Sequence, residues 1–294
     1  MQKRYTSLAL SLVLCFGVAT QAVASDGKQG TLSAVYGTEW NLPATDSPET
    51  TRLSNFRVNG VETLEDVRMK DCGGTLYASM RDVANAMRPG IYVEWNGTRV
   101  LVWAKDLSIT AVPGERYIIA NERYLYVPEG VMVEDGAVMV PVRTLVKAFN
   151  GALTWDAATG VSVTGGSGAI APGNAFYNAE DLYWLSHIIY AESGNQPLEG
   201  QIAVGNVILN RKASSQCPNT VKGVVFQKNQ FTPVKNGSIN LKPSAKSVIA
   251  AKLVLDGAEV LDGNAMFFSR ADMGSWMARN RPHIATIGAH AFYG

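Results

Sequence analysis

One stretch of this chain is present twice. Leu76-Tyr77-Ala78-Ser79-Met80-Arg81-Asp82-Val83-Ala84-Asn85-Ala86-Met87 returns as Val138-Met139-Val140-Pro141-Val142-Arg143-Thr144-Leu145-Val146-Lys147-Ala148-Phe149. Each copy runs into a tryptophan hairpin pattern, Val93-Glu94-Trp95-Asn96-Gly97 in the first and Leu153-Thr154-Trp155-Asp156 before Thr159-Gly160 in the second. A unit of strand, short helix and hairpin cannot cover its own apolar face and buries it best against its copy, so the repeat predicts one α+β domain built of two related halves. Alternation in Tyr92–Trp95 and Val100–Trp103 around Asn96-Gly97 predicts a β-hairpin. Trp95, Trp103 and Trp155 are read as core packing, with a sugar-stacking surface as the alternative.

Val140-Pro141-Val142-Arg143, followed by a helix and Leu153-Thr154-Trp155-Asp156, resembles the copper amine oxidase N-terminal-like domain, an accessory module of secreted bacterial wall proteins. The resemblance spans about residues 55 to 166. It implies no copper, and this stretch has no His or Cys cluster that would hold one.

Ahead of the repeat, Lys3 and Arg4 precede an apolar run from Leu8 to Val18 and the small-residue exit Ala22-Val23-Ala24. That order predicts a secretory signal, residues 1 to 24, cut after Ala24. The run is too short for a spanning helix, Cys15 does not follow a small residue as a lipid-anchored cysteine would, and no later segment reaches the roughly twenty apolar residues a span needs. No stable membrane span is expected after cleavage. Cys72 and Cys217 would survive processing, and they are expected as unpaired thiols. Residues 25 to 54 read as a leader rich in Gly, Ser, Thr and Pro, and 167 to 178 as a linker. The net charge of +1, without an Arg/Lys run interleaved with aromatics, argues against a nucleic-acid partner.

After the linker, Leu185, Ile188, Ile189 and Glu192 share one face of a helix that Asn178 can cap, with Glu180 and Asp181 in its first turn. Glu192 then falls on an apolar stripe near the helix's carboxyl end, where both desolvation and the macrodipole favour its neutral form. A carboxylic acid still protonated near neutral pH is what general-acid cleavage of a glycosidic bond requires. The alternative is a solvated Glu or one paired with Arg211 or Arg281. Pro197 and Glu199 fit the first turn of a following helix that runs to about Lys212. Glu199, Ala203, Asn206 and Asn210 make its more polar stripe, and Gly205 permits close helix contact.

The string Tyr190-Ala191-Glu192, Glu199-Gly200-Gln201, Val207-Ile208-Leu209-Asn210-Arg211, Gly223-Val224-Val225 and Gln230-Phe231-Thr232 resembles the spore-cortex-lytic cell wall hydrolase family. Ala265-Met266-Phe267-Phe268, Trp276, Arg281-Pro282 and His290-Ala291-Phe292 continue the match in order, over about residues 180 to 294. The resemblance implies a mainly helical lysozyme-like fold with a small sheet, glycan strands of peptidoglycan as the partner, and lytic transglycosylase chemistry. The family's acid falls on Glu192. In that mechanism the carboxyl protonates the glycosidic oxygen and then takes the proton of the sugar's own 6-hydroxyl. A hydrolytic route would want a second carboxylate at about 5 to 9.5 Å.

Substrate contacts are assigned to Tyr190, Glu199, Asn206, Gln230, Phe231, Thr232, Trp276 and Arg281, with no metal and no cofactor. Tyr190 and Phe231 read equally as plain packing. The chain departs from the family where a second acid is common, at Gln196, and where Arg-Gly is usual, at Gly194-Asn195. A zinc amidase is a competing reading, with only His187, His283 and His290 as candidate histidine ligands, and a non-catalytic wall-binding protein is another. The expected architecture is α+β: a secreted two-domain protein, an internally repeated accessory domain at 55 to 166 and a catalytic domain at 179 to 294.

Overall fold

Period-two burial in the first half and helical burial in the second divide the molecule into two hydrophobic cores. The computed structural model describes residues 56–63, 66–156, 159–165, 168–261, 264–272 and 274–294. The expected signal peptide and leader lie outside the described residues.

In chain order the first core is built from β1 (Phe56–Val58), β2 (Val61–Glu62), β3 (Met69–Cys72), β4 (Thr75–Ser79) and α1 (Met80–Met87), then β5 (Tyr92–Trp95), β6 (Val100–Ala104) and β7 (Leu107–Ala111). It continues with β8 (Tyr117–Ala120), β9 (Arg123–Tyr126), β10 (Met132–Glu134), β11 (Ala137–Pro141), α2 (Val142–Ala148), β12 (Gly151–Asp156) and β13 (Gly160–Gly165). The sheets run β12-β13-β1-β2, β10-β11-β4-β3 and β5-β6-β7-β8-β9.

Strand β4 and helix α1 come from the first copy of the repeated segment, and β11 and α2 from the second. β4 and β11 pair antiparallel, with Ala78 opposite Val140, Ser79 opposite Met139 and Tyr77 opposite Pro141. Ala78 and Val140 are the same position of the two copies, so each copy offers the other the same strand edge. Tyr77, Met80, Leu145 and Phe149 are fully buried around that seam. Burying such side chains contributes about 1.5–3 kcal/mol each. The Asn96-Gly97 hairpin closes as a four-residue loop, in which Asn96 Oδ1 accepts from the Thr98 and Arg99 amides and Gly97 takes a φ of 93°.

Core packing of the tryptophans needs correction. Trp95 packs against the core, but Trp103 is 52% exposed and Trp155 64% exposed. Strand alternation identifies which residues share a face, and at Trp103 and Trp155 the indole itself is left open to solvent.

The segment expected as a linker is held on both sides. Ile170 is buried in the first core, the Gly173 amide bonds the Asn121 carbonyl at 2.8 Å, and α3 (Gly173–Phe176) leads into the second half. There α4 (Ala179–Ser193), α5 (Leu198–Ala213), α6 (Val221–Val225), α7 (Thr232–Asn236) and α8 (Ala245–Leu255) precede β14 (Phe267–Arg270), α9 (Trp276–Asn280), β15 (His283–Ile287) and β16 (His290–Tyr293). The three strands form a sheet in the order β14-β16-β15. Leu185, Ile188 and Ile189 of α4 meet Ile202, Val204 and Ile208 of α5 and Leu253 and Val254 of α8 in the second core.

The two cores meet at Asp256, just past α8. Its carboxylate receives Arg123 of β9 at 2.5 and 3.1 Å and the Tyr177 hydroxyl at 2.8 Å, while Lys147 of α2 donates to its carbonyl at 2.6 Å. Arg123 and Asp256 are both buried, which is tolerable for charges only because they are paired and hydrogen-bonded. Tyr117, Tyr124 and Tyr126 also lean on the second core. Cys72 and Cys217 are free thiols. Among the described residues no helix is long and apolar enough to cross a membrane.

Candidate active site

Helix α4 carries the acid. Asn178 caps it by accepting the Asp181 amide at 3.0 Å, and Glu180 and Asp181 occupy the first turn, where negative charge suits the helix dipole. Three turns on, the apolar stripe of Leu185, Ile188 and Ile189 delivers Glu192 to the penultimate position. Ser193 Oγ donates back to the Ile189 carbonyl at 2.8 Å, and Gly194 ends the helix. A Cβ on Gly194 would stand 2.7 Å from the Tyr190 carbonyl and 2.8 Å from its ring, so a larger residue there requires Tyr190 to shift.

Glu192 opens into a pocket of about 120 Å³ lined by Val207 and Arg211 from α5, Gln230 and Phe231 ahead of α7, Thr232 at its start, Phe267 of β14 and Met277 of α9. The carboxylate is half-buried and has no hydrogen-bond or ion-pair partner among the described residues. Burial pushes its pKa up to about 7. Desolvation is the cause, and neither Arg211 nor Arg281, the partners of the alternative reading, hydrogen-bonds or ion-pairs with it among the described residues.

Arg211 instead organises the pocket's far wall. Its Nη2 donates at 2.7 Å to the side-chain oxygens of both Gln227 and Gln230, and its guanidinium carbon lies 5.6 Å from the Phe231 ring centre and 5.8 Å from that of Phe267. An arginine only donates, so it holds the Gln230 oxygen and leaves the Gln230 amide N–H₂ to other acceptors.

Of the residues assigned from sequence, Gln230, Phe231 and Thr232 do gather around Glu192. Trp276 and Arg281 flank them. The Arg281 guanidinium carbon lies 4.8 Å from the centre of the pocket residue Phe267 and 5.9 Å from that of Trp276, which is exposed on α9 next to Met277. Three do not join the pocket. Tyr190 lays its ring on Gly194. Glu199 pairs with Arg116 of the first core at 2.8 Å. Asn206 is buried as a clamp, donating to the Ala258 carbonyl at 2.7 Å and accepting the Val260 amide at 3.2 Å. Their partners come from distant segments that helical periodicity does not reveal.

Gln196, where the family commonly has an acid, faces away from the pocket. Its side-chain oxygen accepts the Ala289 amide at 2.8 Å in the turn between β15 and β16. Val207, Met266, Phe267, Phe268 and Met277 line the pocket without having been singled out as contacts. The matches of Val207 and of Met266-Phe267-Phe268 to the family pattern pointed there, and nothing in the sequence marked Met277. The three histidines sit on separate elements, His187 bonded to the Ile239 carbonyl at 2.7 Å and His283 to Thr286 at 2.9 Å. Among the described residues no three His, Cys, Asp or Glu side chains come together as metal ligands.

Residues 195–293 match the family model described as Cell Wall Hydrolase. Over that span the chain is similar to cell wall hydrolases. Glu192 stands just ahead of the matched span, and residues 57–164 match the Copper amine oxidase N-terminal domain model. Curated relatives of the cell wall hydrolase domain are named Spore cortex-lytic enzyme. The one from Bacillus cereus is 40% identical over 120 residues, 40% of this chain and 45% of the relative. That from Bacillus subtilis is 33% identical over 116 residues, 40% of this chain and 38% of the relative. This chain thus spans less than half the length of either relative. The solved catalytic domain of the germination-specific lytic transglycosylase SleB from Bacillus anthracis is 36% identical, with a TM-score of 0.38, and the match covers 42% of this chain and 100% of that one.

Proposed function

We propose that this protein cuts the glycan strands of peptidoglycan as a lytic transglycosylase, with Glu192 as both acid and base. The observation that carries the reading is a carboxyl group in an apolar pocket, without an ion partner and with its pKa raised to about 7. It supplies a proton to the glycosidic oxygen as positive charge grows on the muramic sugar. The carboxylate left behind takes the proton of that sugar's 6-hydroxyl, whose oxygen closes the anhydro ring. Among the described residues lining the pocket, Glu192 is the only acid. The described pocket lining provides no second carboxylate to activate water or form a glycosyl-enzyme, which favours the intramolecular nucleophile.

The named relatives support spore cortex as the target, and the cortex lies outside the cytoplasm. The expected signal peptide fits that location. Residues 55 to 166 act in this proposal as an accessory domain of a secreted enzyme.

Mass spectrometry of digested peptidoglycan tests the proposal. The parent protein should release anhydromuramic ends, and Glu192→Gln should release none. Reducing ends would indicate a hydrolase, freed stem peptides an amidase, and sacculi retained without release a binding protein.

A further inference from the structure

The pocket at Glu192 is small for a polymeric substrate. At about 120 Å³ it lies well below the roughly 300–1,000 Å³ typical of a site that encloses a whole small ligand. It takes the scissile linkage and little more. Binding energy from remote parts of a substrate is what positions and strains the reacting bond, so a strand needs a grip elsewhere on the same body.

A second cleft of about 810 Å³ opens where the two cores meet. Its apolar wall includes Leu76 and Leu125, with Leu153, Trp155 and Val161 on the β12–β13 hairpin, and its opposite lip is the turn from Asp256 to Glu259 after α8. We propose that this junction cleft is a second binding site for the glycan strand, in which Trp155 stacks on a sugar ring and Arg143 donates to its polar substituents. The proposal rests on the reading of Glu192 as a peptidoglycan-cleaving acid.

Trp155 supplies the first reason. Leu153 and Trp155 alternate onto the cleft side of β12, yet only Leu153 is packed on the core while the indole is 64% exposed. A large, rigid aromatic surface is left available at the lip of a concavity, where one apolar face with a polar edge suits an amphipathic ring.

The charges supply the second. Arg143 is exposed and has no partner among the described residues, whereas Lys147 is held by Asp256. Asp71 and Glu259 add carboxylate acceptors on either side. One free guanidinium and two carboxylates thus border an apolar wall, which matches hydroxyl and acetamido groups on a largely neutral ring. A nucleic acid would call for a surplus of cations. An amphipathic peptide helix would call for an apolar groove with spaced anchor pockets.

Both lips are fixed relative to Glu192, because Arg123, Lys147 and Tyr177 all converge on Asp256.

The full-length Glu192→Gln chain, which should bind without cutting, is the appropriate background for the test. Retention on purified sacculi is measured by co-sedimentation, and binding of soluble N-acetylglucosamine tetramer by fluorescence titration. Trp155→Ala and Arg143→Ala should each weaken both by about tenfold, the size expected of an interface anchor, while Trp155→Phe keeps most of the binding. Trp103→Ala, at an equally open tryptophan outside the cleft, should leave retention unchanged. Circular dichroism verifies that each variant is folded. Unchanged retention in Trp155→Ala, or an equal loss in Trp103→Ala, overturns the proposal. Retention that vanishes when stem peptides are stripped from the sacculi assigns the cleft to peptide and overturns it too. Release of anhydromuramic ends by the parent protein decides the catalytic reading separately, so either idea can fail alone.

Discussion

Arg123 and Asp256 face each other across the junction of the two cores with both charges buried and contacts of 2.5 and 3.1 Å. A pair of this kind is no guide to net stability, because desolvation offsets the attraction. Removing Arg123 is different, since it leaves the buried Asp256 carboxylate with only the more exposed Lys147 at 3.1 Å and the Tyr177 hydroxyl. Arg123→Ala should therefore cost up to about 3–5 kcal/mol in urea unfolding, the upper end applying to a charge left wholly unpaired. The loss should also separate the melting of the first core from that of the second, observable as two transitions by calorimetry. A single unshifted transition would mean that the junction tyrosines, Lys147 and the Arg116–Glu199 pair hold the halves together without Arg123.

Glu192 links activity to stability through pH. Its folded pKa of about 7 lies above the ordinary value of 4.5, so the native state holds the proton more tightly than the unfolded chain does. The contribution of the neutral carboxyl is complete below about pH 4.5 and is lost as pH rises through 7. Glu192→Gln, which stays neutral throughout, should match the parent's stability at pH 4 and exceed it by up to about 3 kcal/mol at pH 9. Cleavage by the parent should fall above pH 7 as the acid loses its proton. Denaturant titrations at the two pH values, with a pH–rate profile, measure both effects.

How much of this was legible in the sequence differs from residue to residue. The cap at Asn178, the stripe ending at Glu192 and the second helix from Leu198 follow from local periodicity and capping chemistry, which act within a few turns. The repeated segment pointed to the β4–α1 and β11–α2 units. Glu199 and Asn206 do not line the Glu192 pocket because their partners, Arg116 and the Ala258–Val260 loop, are brought in by tertiary folding. Trp103 and Trp155 failed for a related reason: alternation marks a face, and only the layer above decides whether that face is covered. Charge alone makes Arg211 a candidate partner for Glu192, whereas its acceptors, Gln227 and Gln230, lie in a loop without periodicity.

Gly205 shows local sequence and packing in agreement. A Cβ there would stand 2.8 Å from Val254 Cγ2 on α8 and 3.0 Å from Ile189 Cδ1 on α4. Gly205→Ala gains helix propensity but forces fully buried neighbours apart at the centre of the second core. Overpacking of this kind costs about 1–3 kcal/mol, more than the propensity gain of about 1 kcal/mol. The variant should unfold at lower urea concentration with an unchanged m-value, and a Val254→Ala partner should recover part of the loss.

Arg211 fixes which end of the Gln230 amide is free to face the groove. With Arg211→Met the apolar stem is kept and the two charge-assisted hydrogen bonds to Gln227 and Gln230 are lost, each worth about 1.5–3 kcal/mol. The Gln230 amide is then free to turn over, presenting its oxygen where it had presented its N–H₂. Glycan cleavage should drop by about tenfold or more, because a misdirected contact in the groove degrades the alignment of the scissile bond. The pH profile should keep its midpoint near 7, since burial alone sets the Glu192 pKa. A midpoint that moved with the substitution would show instead that the guanidinium charge acts on the acid directly.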